Sequence, residues 1–175
     1  MALFLIGFAL VLFDLNIAVG SASIGIFPDM IGYALMLAAL AGKRAPREKL
    51  VRFRRIAAVS MIVTLVVYVL ALFGAAKWLE GWFYVALDLG CYALECIAGY
   101  EVVGLFREAD SSANGAAGKK VFSCWRLSVI FGALTFFGVF SPASALLLGG
   151  MSFVTDAYLI VTCFKTAAAQ GPIAY

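Results

Sequence analysis

The sequence predicts an all-α polytopic membrane protein. It reads as one integral membrane domain over residues 1–175 with six transmembrane helices, and three helical hairpins are one way of pairing them. Two observations carry that reading. Hydrophobic residues make up 65% of the chain and charged residues 13%, where a soluble domain usually carries about 25% charged residues. One ordinary core cannot bury so much apolar surface, so lipid is expected to cover the rest. The second observation is the position of the basic residues. When the chain is cut into six apolar spans, every Lys and Arg except Lys77 falls on one side. That bias orients a plasma membrane protein with both termini cytoplasmic. The net charge of +3 is spread over short loops at membrane edges, so orientation accounts for it without nucleic acid.

The first span is expected over residues 2–20. A cleaved signal peptide competes with it, because Val19-Gly20-Ser21-Ala22-Ser23 resembles a small-residue cleavage site. Against that, no basic residue precedes the apolar run, and Asp14 and Asn16 interrupt it. The second span, 28–45, has a start signal. Pro28 suits a first helical turn, and Asp29 follows it where the helix dipole favours an anion. Seven basic residues from Lys43 to Arg55 then face a single acid, Glu48, in the strongest orienting segment. The third span is expected over 56–76 and the fourth over 82–106. Between them lies a short turn with Trp78 and Trp82, which suit a membrane interface. Residues 107–120 read as a flexible loop rich in small polar residues. The fifth span is expected over 121–140, a tight turn over 141–144, and the sixth span over 145–165.

Asn16, Ile24-Gly25 and Pro28-Asp29-x-x-Gly32-Tyr33 together form a pattern. It resembles the first hairpin of a family of small uncharacterised multi-pass membrane proteins from Gram-positive bacteria. The likeness covers about a quarter of the chain. It implies a bacterial plasma membrane protein and implies no activity. A separate internal likeness aligns residues 29–35 with 88–94, sharing Asp, Tyr, Ala and Leu. Parallel repeats of this kind build some transporters, although Ala and Leu match cheaply in so apolar a chain.

The unusual chemistry is acidic. Asp14, Asp88, Glu95, Glu101 and Asp156 fall inside the expected spans. A charge at the centre of a membrane helix costs roughly 2.5–3.5 kcal/mol on insertion scales, so such residues are functional candidates. Asp14, Asp88, Glu95 and Asp156 have no basic neighbour at their depth. Each must be protonated, hydrated or bound to a cation. Asp88, Tyr92 and Glu95 share one face of the fourth span, within about 80° of arc at 100° per residue. Together with Asp156 and Asp14 they are the candidate solute- or proton-binding residues. The competing account is that they hydrogen-bond neighbouring helices and fix packing. Glu101 and Arg126 sit at matched depth near the cytoplasmic side and are expected to form a structural ion pair. Ala34, Ala38 and Gly42 form a small-residue ridge for close helix packing, within the chain or against a partner.

Histidine is absent, which excludes histidine-based catalysis and haem ligation by His. The four cysteines are scattered without a C-x-x-C pair, and no phosphate-loop or metalloprotease motif occurs. No cofactor, metal or enzymatic activity is expected. The leading functional expectation is a small transporter or permease for a cationic or proton-coupled solute. The alternative is a non-catalytic subunit, a substrate-capturing subunit or a protective protein that packs against a membrane partner or a second copy of itself.

Overall fold

The computed structural model describes residues 1–13, 16–19, 22–25, 29–41, 48–72, 82–110, 115–136 and 141–170. Among them are six helices and one two-stranded hairpin. In chain order these are α1 (Ala2–Leu12), β1 (Asn16–Val19), β2 (Ala22–Gly25), α2 (Asp29–Leu40), α3 (Glu48–Leu72), α4 (Trp82–Ala109), α5 (Ala116–Thr135) and α6 (Pro142–Gln170). Asp14, Gly42 and Lys77 lie outside the described residues.

Among the described residues, three helices are long and apolar enough to cross a membrane, over Glu48–Leu70, Ala86–Glu108 and Leu146–Ala169. Their outward faces carry large apolar side chains such as Val59 and Ile62 on α3, Leu89 and Ile97 on α4, and Leu146 and Val154 on α6. Leu146 is 82% exposed. Continuous apolar exposure of this kind needs a nonaqueous cover, and it supports a membrane location.

The chain forms two compact units. One comprises Ala2–Ala98, and the other comprises Gly99–Tyr175 with Met1. The division falls within α4.

In the first unit, the helix expected over residues 2–20 ends at Leu12, after 11 residues. At 1.5 Å per residue that is about 16 Å, roughly half a hydrocarbon core. The residues beyond explain the stop. Asp14 and Asn16 have side chains that compete for backbone hydrogen bonds, and Ile17, Val19 and Ile24 favour extended backbone. Asn16–Val19 pairs antiparallel with Ala22–Gly25, with Ile17 opposite Ile24 and Val19 opposite Ala22. α2 then starts at Asp29, as the Pro28-Asp29 signal predicts, but runs only 12 residues.

α1 and α2 pack very closely. A Cβ placed on Gly7 would lie 2.5 Å from the Gly32 carbonyl oxygen, and one on Gly32 would lie 2.6 Å from the Gly7 carbonyl oxygen. Phe4, Leu5, Phe8 and Val11 of α1 are buried, as are Tyr33, Met36 and Leu40 of α2. The packing face of α2 is therefore Gly32, Tyr33, Met36 and Leu40. Ala34 and Ala38 are exposed and Gly42 lies outside the described residues, so the two described alanines of the expected ridge are not part of the α1–α2 packing. The bulkier stripe wins that role because burying it removes more apolar surface from water or headgroups.

α3 begins eight residues earlier than the expected Ile56, at Glu48. Lys49, Arg52, Arg54 and Arg55 thus belong to its first turns, not to a loop, because Lys and Arg are good helix formers once Pro46 has passed. The stripe Leu50, Phe53, Ala57 and Ser60 is buried. The Phe53 ring meets Phe4 of α1 at 5.5 Å between centroids. The Arg54 guanidinium donates to the carbonyl oxygen of Leu40 at the end of α2. A cation there satisfies an orphan carbonyl and complements the helix dipole.

In the second unit, α5 starts at Ala116, five residues before the expected Val121. Gly115, at φ 63°, precedes it in the left-handed region. The Gly118 amide donates to Asp110 Oδ2 at 2.6 Å, so a carboxylate caps the positive end of α5. Pro142 opens α6 instead of sitting in a turn, as its missing N–H allows. Ser144 Oγ donates back to the Ser141 carbonyl at 2.8 Å.

Candidate functional site

Among the described residues, the hydrogen-bonded hydroxyl groups of the long helices divide into two sets. Most donate to a carbonyl of their own helix. Thr64 reaches Ser60 at 2.9 Å, Ser123 reaches Lys119 at 3.0 Å, Thr135 reaches Gly132 at 2.6 Å, Thr155 reaches Ser152 at 2.8 Å and Thr162 reaches Tyr158 at 2.8 Å. That local bond is the default for a hydroxyl in an apolar helix.

Ser128 and Ser152 break the pattern, and both turn to Asp156. Ser128 Oγ of α5 donates to Asp156 Oδ1. Ser152 Oγ, one turn before Asp156 on α6, donates to Oδ2 at 3.4 Å. One turn further along the antiparallel pair, Cys124 Sγ meets Thr162 Oγ1 at 3.8 Å. The α5 face is small along its length, with Gly118, Cys124, Ser128 and Gly132 all buried. Small residues let two helix backbones approach, and hydroxyls then join them across the seam.

Asp156 is 8% exposed in this seam. Among the described residues its hydrogen-bond partners are the two serine hydroxyls, neither of them basic. A carboxylate held by hydroxyl donors can exist as an anion awaiting a counter-ion or as a neutral acid that shares its proton. The arrangement suits binding and releasing a proton or a cation.

The other predicted acids sit differently. Asp88 is exposed on α4, while Tyr92 and Glu95 are half-buried. The three share a helix face as the spacing predicts, but the burial along it is uneven. Glu95 and Asp88 belong to the first unit and Asp156 to the second. Asp29 is half-buried in the first turn of α2, where the dipole argument puts it. Among the described residues, no group of three His, Cys, Asp or Glu side chains gathers around a possible metal position.

No family model, curated protein or solved structure matches the chain.

The resemblance of the first hairpin therefore rests on its own few residues. The aligned segments 29–35 and 88–94 also differ in setting. Tyr33 is 1% exposed, whereas Tyr92 is half-buried and Asp88 is exposed.

Glu101 and Arg126 are not brought together as a matched buried pair. Glu101 is 4% exposed on α4, and Arg126 is exposed on α5. The α4–α5 neighbours that do meet are largely aromatic. Tyr100 and Trp125 lie 5.5 Å apart, Phe122 stacks near Trp125 at 5.7 Å, and the Arg107 guanidinium sits 5.5 Å over Phe122. Given their unlike burial, Glu101→Gln and Arg126→Gln are expected to be additive within about 0.5 kcal/mol. A double-mutant cycle on detergent melting temperature checks this, and a larger coupling would restore the ion pair.

The sequence reading identified Asp156 but missed both serines. Serine is ordinary in apolar helices, and pairing Ser128 with Asp156 requires the register of α5 on α6. The only sequence signal was the small-residue spacing at Cys124, Ser128 and Gly132.

Proposed function

We propose that the protein is a small plasma membrane permease for a cationic or proton-coupled solute, with Asp156 as the group that takes up the cation or proton. The observation that carries the reading is the Asp156 carboxylate. It is buried between α5 and α6 and held by hydroxyls from both helices, with no basic hydrogen-bond partner among the described residues. Nothing obliges a purely structural seam to carry that acid. The test is uptake into liposomes loaded with a pH-sensitive dye, using a panel of ammonium, guanidinium and polyamine solutes. Wild type should respond to at least one of them and Asp156→Asn should not. Silence of wild type across the panel and under an imposed proton gradient would overturn the reading.

Six crossings with both termini cytoplasmic remain the topology we favour. The support is the charge bias, to which Lys49, Arg52, Arg55, Lys119 and Lys120 contribute as exposed residues. An enzyme active only outside the membrane, fused at Tyr175, should be silent, and one active only in the cytoplasm should work. Strong external activity would reverse the orientation.

One observation favours a second reading, that of a partner-binding subunit. Ile31, Ala34, Ala38 and Ala41 form an exposed stripe along α2, where a neighbouring helix could approach closely. A protein that co-purifies stoichiometrically in mild detergent, and is lost in Ala34→Phe, supports that reading.

A further inference from the structure

The second unit carries charge that the α5–α6 seam does not use. Cys124 and Ser128 of α5 face α6. At 100° per residue, Lys119, Ser123, Arg126 and Ile130 share the opposite side of α5 within about 60° of arc, and all four are exposed. α6 contains a segment apolar enough to cross a membrane, so the outward side of its neighbour meets lipid. Orientation explains Lys119 near the start of α5, but Arg126 comes two turns later. Among the described residues no ion pair or hydrogen bond engages its guanidinium. A charge in that setting needs an anion or water. Its Cα–Cβ bond tilts toward the start of the helix, where Lys119 stands, and its long side chain can reach the interface.

A third cation comes from α4. The Arg107 guanidinium lies 5.5 Å over the Phe122 ring. Phe122 follows Lys119 by three residues and precedes Arg126 by four, so both are its neighbours on the helix surface. The ring is backed by Trp125, which in turn meets Tyr100 of α4. A guanidinium stacked on a ring keeps its N–H edge open to oxygen acceptors. The helices are close here, since a Cβ on Gly118 would lie 3.0 Å from Arg107 Cα. Of the acids at this end, Asp110 accepts from the Gly118 amide and Glu108 is exposed, so the cations are in excess. Further along the same side of α5, Leu127, Ile130 and Leu134 are exposed.

We propose that Arg107, Lys119 and Arg126 form a binding site for the headgroup of an anionic phospholipid, whose acyl chain lies along Leu127, Ile130 and Leu134. Two features of the site argue for lipid rather than a soluble anion. The cations stand at a membrane edge, where basic clusters between helices take anionic headgroups. The apolar track continues from them in the direction an acyl chain must run. The aromatic stack holds Arg107 in place, so less side-chain freedom is lost when the phosphate arrives. The proposal goes beyond the transport reading and does not use Asp156.

The experiment is the melting temperature of the purified full chain in a neutral detergent, titrated with phosphatidylglycerol or with phosphatidylcholine of the same acyl chains. Wild type should show a saturable upward shift with phosphatidylglycerol and little with phosphatidylcholine. Arg126→Gln and Lys119→Gln should each raise the half-saturating lipid concentration by about fivefold or more. Without lipid, Arg126→Gln should melt at or above wild type, because it removes a charge that has no protein partner. Arg55→Gln, an exposed basic residue of α3, and Asp156→Asn should keep the wild-type response. Native mass spectrometry of wild type, counting retained phosphatidylglycerol, needs no variant to fold. Equal shifts with the two lipids, or a phosphatidylglycerol shift that survives both Arg126→Gln and Lys119→Gln, overturn the proposal. The same shift with inorganic phosphate overturns the lipid assignment. So does an acidic protein that co-purifies with wild type and is lost in Arg126→Gln while phosphatidylglycerol has no effect.

Discussion

Gly32→Ala and Gly7→Ala are each expected to destabilise the protein, by about 1–3 kcal/mol for the overpacking. An alanine normally improves a helix over glycine by up to about 1 kcal/mol, so the sign is informative. At Gly32 the added methyl would sit 2.6 Å from both the Gly7 carbonyl oxygen and Val11 Cγ2. At Gly7 it would sit 2.5 Å from the Gly32 carbonyl oxygen. Backbone atoms on both sides cannot rotate away as a side chain can. The helices must separate, and Phe4, Leu5, Tyr33 and Met36 lose contact together. The control is built into the chain. A methyl at Gly90, Gly149 or Gly150 meets nothing within 4 Å, so Ala there should be neutral or slightly stabilising. Melting temperatures in one detergent decide the matter. If Gly32→Ala melts at or above wild type, the close α1–α2 approach is wrong.

Asp156→Asn is expected to reduce solute-driven flux at least tenfold while changing stability by no more than about 1 kcal/mol. Asparagine keeps the size of the side chain and one oxygen to accept from Ser128. It cannot take up a proton or neutralise a cation. Asp156→Ala should behave differently. It strands the Ser128 and Ser152 hydroxyls and leaves a small void, for a loss of about 1–3 kcal/mol. The gap between the two variants separates binding from packing. If both retain flux, Asp156 is only a link between α5 and α6. If Asp156→Asn melts well below wild type, the acid is structural in a way the transport reading does not require.

The long helices were legible because length and apolar content report directly on them. α4 lies within a few residues of its expected span at each end, and Pro28-Asp29 marked the start of α2. Hydropathy failed where local chemistry decides. It ran the first span through Asp14 and Asn16, since a few polar side chains barely lower the average of an apolar run, whereas α1 ends at Leu12 and an antiparallel ribbon begins at Asn16. It also placed Lys49–Arg55 in a loop because charge was read as loop, although these residues have good helical propensity. Asp156 was visible as an acid among apolar residues. Ser128 was not, because it matters only through the helix it faces, and pairwise register is absent from a single sequence.

The folded-back arrangement of α1, the short β hairpin and α2 has a consequence for biogenesis. A segment that enters and leaves by the same face contributes either two crossings or none. The sidedness of everything after Leu40 is therefore the same whether that segment reaches the far surface or stops partway. About 16 Å of helix and a two-stranded ribbon need not be reconciled with the orientation of α3 to α6. The basic turns of α3, including the arginine that clasps the end of α2, are the first feature an insertion machinery must read correctly. Under the orientation proposed above, errors in the preceding segment would stay local, whereas removal of those charges is the change expected to invert the remainder of the molecule.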